Sequence, residues 1–129
     1  VAATSVSSTT QVRMIIKSLL LTVLVVVMYG YGQIYLGFPV ISTNNSEFSK
    51  GLVLYLTNGA RVNSTFAGHY DLAMYLSITL ALTVVFFFYK KNKGYKLILA
   101  VLGILEFILL GLTAARVSFV AAIGALCLG

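Results

Sequence analysis

Apolar and polar residues fall in long blocks along this chain rather than alternating position by position. Residues 18–28 are almost wholly apolar, Arg13 and Lys17 lie at the start of that run, and Tyr29, Tyr31 and Tyr35 gather at its far end. A basic start and an aromatic finish predict a membrane-spanning helix over residues 13–36, and Pro39 stops its continuation. Residues 69–89 form a second apolar block with aromatics at both ends, and residues 97–113 a third. Residues 117–129 open a fourth, cut short at Gly129. Residues 1–12 are rich in Ser and Thr and read as a linker. The pattern predicts an all-α fold, a polytopic transmembrane helix bundle with about three complete spans and a truncated fourth.

Between the first two spans lies a polar stretch, residues 37–68, too long for a structureless loop in a compact domain. Ser46-Glu47 precede Phe48, Leu52, Tyr55 and Leu56, whose spacing predicts a short helix lying on the membrane surface with Lys50 on its wet side. Asn58-Gly59 then supplies a turn.

Composition narrows the class. Hydrophobic residues make up 60% and charged residues only 9%, against about a quarter charged in soluble domains, so the chain belongs in a lipid bilayer. The net charge of +6 is unevenly placed: Lys90, Lys91, Lys93 and Lys96 share the connector 90–96. Basic residues wedged between apolar spans mark the cytoplasmic side, and Arg13 and Lys17 agree. The loop 37–68 and the turn near Arg116 then share the outer face. No basic face interleaved with aromatics exists, so nucleic acid is not an expected partner. With one Cys (Cys127) and one His, there is no disulfide framework and no metal motif, and no cofactor is expected. A first residue Val1 rather than Met, and an end inside an apolar run, suggest a partial transmembrane domain, residues 1–129 of a longer protein.

Chemistry gathers where loop 37–68 meets the second span. Arg61, His69 and Asp71 lie there, and Arg116 falls on the same face from a later element. Titratable groups at a membrane surface are costly to desolvate and invite a functional reading. Guanidinium forks suit phosphate oxygens, so two of them converging beside lipid fit a pyrophosphate-linked headgroup; the alternative is that Arg116 snorkels at a helix end. Asp71 in a first helical turn complements the macrodipole, and His69 either polarises or orients a substrate group or is a hydrogen-bonded structural residue. Glu106 stands alone near the middle of the third span, where a carboxyl must be neutral or paired with another helix.

Three motifs carry a resemblance. Tyr29-Gly30-Tyr31-Gly32-Gln33 with Gly37-Phe38-Pro39, then Arg61 through Leu72, then Ala115-Arg116-Val117-Ser118-Phe119, resemble the membrane core of the O-antigen ligase and polymerase family. His69 stands where many relatives have Asn, and Ala115 where Ser is frequent. The resemblance implies a metal-independent glycosyltransferase, incomplete in this chain, that ligates or polymerises an undecaprenyl-pyrophosphate-linked glycan. The reaction would run on the outer face of a bacterial cytoplasmic membrane, with a glycan or lipid as acceptor. It further implies that Arg61 and Arg116 bind the pyrophosphate, with His69, Asp71 and Glu106 in support. The catalytic base is expected in a later outer loop. Two other readings stand beside it: a transporter or channel that uses Glu106 as a proton or ion site, and a membrane scaffold without catalysis.

Overall fold

The computed structural model describes residues 9–57, 59–113 and 123–124. Among these, helix α1 spans Thr9–Tyr35, a short α2 Ser46–Ser49, α3 His69–Tyr89 and α4 Lys93–Leu112. A 3-10 turn covers Ile41–Asn44, and the described residues contain no strand beyond an isolated bridge between Pro39 and Tyr55. Three helices, α1, α3 and α4, are long and apolar enough to cross a membrane. The chain is an all-helical, multi-pass membrane protein.

α3 and α4 form an antiparallel hairpin joined by only three residues. Lys90 ends α3, its N–H bonding the Phe86 carbonyl at 3.0 Å. Asn92 opens α4, its side chain accepting from the Gly94 N–H at 2.9 Å, as an N-cap should. Lys93 and Lys96 therefore sit inside α4 rather than in a turn over 90–96, and the third span begins earlier than residue 97. Gly103 faces Thr83 and Leu80 of α3, where a Cβ would make ordinary contacts at 3.6 and 3.9 Å.

α1 packs Val23, Val26 and Val27 into a core shared with Leu72, Ala73, Leu76 and Leu80 of α3 and Leu102, Leu109 and Leu110 of α4. It begins at Thr9, so residues 9–12 extend the helix and the expected linker is shorter. Thr-Thr-Gln-Val carries no charge or breaker, and nothing there stops the helix. The fourth span and the rest of the linker lie outside the described residues.

Of the stretch expected to be helical through Leu56, only the single turn Ser46–Ser49 is α-helix. Asn45 caps it, accepting from the Glu47 N–H at 3.1 Å. Lys50 and Gly51 then adopt left-handed φ values of 50° and 77°, which ends the helix. Residues beyond run extended: Val40 N–H donates to the Leu54 carbonyl at 2.7 Å, and the Leu54 N–H to Thr43 Oγ1 at 3.0 Å. The excursion 39–55 closes on itself.

Candidate functional site

The motif Tyr29 to Gln33 in the last turns of α1 attaches both the loop and α4. Tyr29 donates its hydroxyl to the Pro39 carbonyl at 2.9 Å and lies against the Phe38 ring. Gly30 meets Leu109, where a Cβ would come within 2.9 Å of a methyl. Tyr31 donates to the Leu105 carbonyl at 3.0 Å. Gly32 makes room for Phe38, whose ring a Cβ would meet at 2.4 Å. Gln33, 3% exposed, holds Ser64 from both sides: it accepts from the Ser64 N–H at 2.8 Å and donates to the Ser64 carbonyl at 3.1 Å.

Ser64 is thereby drawn down into the bundle. Its hydroxyl donates to the Val26 carbonyl, about two turns back along α1 from Gln33, at 2.6 Å. Its φ of 49° is unusual for a residue with a side chain, a strain these three contacts hold. Val62, Asn63 and Ser64 are all buried, and the Phe66 ring lies tilted against Tyr75, six residues into α3, with centroids 5.2 Å apart. Residues 62–66 thus form a plug that dips below the start of α3. Non-helical backbone at such depth survives only if its polar groups are satisfied, which is what Gln33 supplies to Ser64.

The plug positions Arg61 and His69, which sit on either side of it. One Arg61 terminal nitrogen lies 3.0 Å from His69 Nε2. Guanidinium can only donate, so in this contact Nε2 is the acceptor. The imidazole also lies 4.1 Å, centroid to centroid, from the Tyr70 ring. Asp71 stands exposed in the first turn of α3, its carboxylate folded back toward Gly68. Arg61 is exposed while His69 is half-buried, so the more sheltered ring orients a guanidinium whose remaining donors face outward.

Glu106 belongs elsewhere. It is fully buried between α3 and α4, where Thr83 donates its hydroxyl to Oε1 at 2.9 Å. Thr83 lies roughly 20 Å along α3 from His69, at about 1.5 Å per residue. Thr79 and Tyr75, one and two turns nearer the start of α3, flank the same carboxyl. Oε2 has no hydrogen-bond partner among the described residues, and Asn63 Oδ1 shares that condition. Arg61, His69 and Asp71 are therefore neighbours and Glu106 is a separate buried centre. Arg116 lies outside the described residues.

Sequence reasoning left Gln33, Ser64 and Thr83 out of the site. Gln33 was visible as the one amide in an apolar and aromatic helix end, and Thr83 as the last of Tyr75, Thr79 and Thr83, a polar stripe at intervals of four. No family model, curated protein or solved structure matches the chain.

Proposed function

We propose that the chain is part of a membrane glycosyltransferase that transfers a glycan from a lipid pyrophosphate, with Arg61 gripping the diphosphate. One observation carries this reading: the exposed Arg61 guanidinium lies 3.0 Å from the His69 ring, which orients it without the counter-charge a carboxylate partner would bring. A preorganised cation beside the lipid phase is what a departing pyrophosphate needs, because charge develops on its oxygens as the sugar leaves. Arg116 supplies the second fork from residues that open a fourth span, and Asp71 helps hold the loop end of α3. The site faces the outer surface if the lysine end faces the cytoplasm, and the motifs at Tyr29–Gln33, Arg61–Leu72 and Ala115–Phe119 favour the O-antigen ligase and polymerase class.

The test is glycan transfer by the full-length protein carrying Arg61→Lys, Arg116→Lys or both. Lys keeps the charge but loses the fork, and removal of one donor aimed at transition-state charge costs about 10²–10³ in rate. Near-normal transfer by the double variant sinks the proposal and leaves both arginines as surface anchors.

A second reading, a transporter with a proton or ion site, draws on the unpartnered Oε2 of buried Glu106. Glu106→Gln separates the two. Retained transfer keeps Glu106 structural, whereas complete loss with normal membrane insertion shifts the function to that carboxyl.

A further inference from the structure

We infer that the end of the bundle opposite Arg61 is a docking surface for anionic phospholipid headgroups. Lys90, Lys91, Lys93 and Lys96 lie at the α3–α4 turn. The three spans share one core, and Gly30 of α1 meets Leu109 of α4. Counting back along both helices from that contact brings Lys17 level with Lys96, and Arg13 level with Asn92. Six of the nine Lys and Arg residues thus gather at one end. The chain has only three carboxylates: Glu47 and Asp71 lie at the other end, and Glu106 is buried between helices. The chain offers this belt no counter-charge of its own.

The local arrangement also works against the fold. Helix starts favour acids, yet α4 has no acid in its first turn and carries Lys93 and Lys96 there. Lys90, at the end of α3, is the one cation in the turn that its own helix dipole favours. Cations set against a macrodipole point to an external anion that stabilises them. Their height is that of headgroups: Phe88, Tyr89 and Tyr95 flank the turn, each more than half exposed, as aromatics do at a bilayer interface. The Lys96 ammonium sits 5.3 Å from the centre of the Phe87 ring, which ties the start of α4 to the end of α3. The three-residue connection keeps the other lysines close by, so the charges are clustered before any lipid arrives.

The occupant is a phospholipid phosphate carrying net negative charge, such as phosphatidylglycerol. The experiment uses the purified full chain in a neutral maltoside detergent. Phosphatidylglycerol, phosphatidylcholine or inorganic phosphate is added, and bound lipid is counted by native mass spectrometry. Phosphatidylglycerol should be retained, with phosphatidylcholine and free phosphate giving no comparable binding. A Lys93→Gln, Lys96→Gln double variant should weaken phosphatidylglycerol about 25-fold, at about fivefold per lysine, while Lys50→Gln at the other end leaves it unchanged. Without lipid a Lys93→Gln single variant, which leaves the Lys96–Phe87 contact in place, should melt no lower than the wild type, because it removes a cation from a helix start. Lys91→Gln, on an exposed turn residue, provides an independent fivefold reading should the double variant fold poorly. Equal retention of phosphatidylcholine, equal binding of inorganic phosphate, or phosphatidylglycerol binding untouched by these variants would each overturn the assignment.

Discussion

Gln33 and Ser64, thirty-one positions apart, exchange two hydrogen bonds through one side-chain amide, at 2.8 and 3.1 Å. The same amide nitrogen donates to the Pro39 carbonyl at 3.2 Å, so one residue fastens both ends of the loop excursion to α1. Gln33→Leu keeps the bulk and strips all three bonds. A buried N–H and carbonyl left unpaired cost about 1–3 kcal/mol. Thermal unfolding in detergent should register that loss, and limited proteolysis should find new cleavage near residues 61–66. A Gln33→Leu protein that melts and resists protease like the wild type would show that another contact holds the plug.

Gly30 and Gly32 should differ in their tolerance of a methyl group. At Gly30 the obstacle is the branched tip of Leu109, which can rotate; at Gly32 it is the flat Phe38 ring, itself held against Tyr29. Gly32→Ala is expected to cost about 1–3 kcal/mol, the usual penalty for overpacking, and Gly30→Ala less. Melting temperatures of the two variants, compared side by side, check the order; the reverse order refutes the packing account.

Thr83 donates a hydroxyl hydrogen bond to the Glu106 carboxyl at 2.9 Å. Thr83→Val is isosteric and removes it, an interhelical bond worth about 0.6–2 kcal/mol in a bilayer. Glu106→Gln preserves the shape and an acceptor for Thr83, so it should disturb stability less than Thr83→Val. Unfolding of both variants in the same detergent measures this, and a Glu106→Gln protein less stable than Thr83→Val would contradict it.

Labelling of single cysteines tests which end faces which compartment. Asn92 is exposed at the lysine end and Ala67 at the plug end. With Cys127 replaced by Ser, cysteines at these two positions should react from opposite sides of the membrane, Asn92 from the cytoplasm. Asn63, although central to the loop in sequence, is 8% exposed and makes a poor reporter. Reaction of both positions from one side rules out the hairpin crossing.

The spans were legible because their signal is local. The second matches α3, His69–Tyr89, at both ends, since an uninterrupted apolar run states its own length. The third began at Lys93 rather than residue 97 because lysines at a helix end do not stop it once Asn92 caps the start. The loop was less readable. An apolar spacing through Phe48, Leu52 and Tyr55 suggested a surface helix, but left-handed backbone at Lys50 and Gly51 takes the chain out of that course. What orders the loop is instead its tie to Gln33, and a contact spanning thirty-one residues leaves no periodic trace. The Arg61–His69 pair was anticipated as a neighbourhood but not as a bond. Its formation depends on the plug between them folding inward, which no spacing of eight residues can announce.

The three-residue join between α3 and α4 also implies an order of assembly. A connection so short makes pairing of these two helices nearly free of loop-closure entropy, whereas α1 must close a loop of more than thirty residues before it docks. Loop closure therefore favours pairing of the hairpin ahead of docking of α1. Because the plug is gripped by the last turns of α1, Arg61 reaches its final position only when that late docking is complete. Arg61, the cation proposed to meet a lipid pyrophosphate, is thus among the last parts of the described fold to be set, and a chain stalled at the hairpin stage would be inserted without that cation in place.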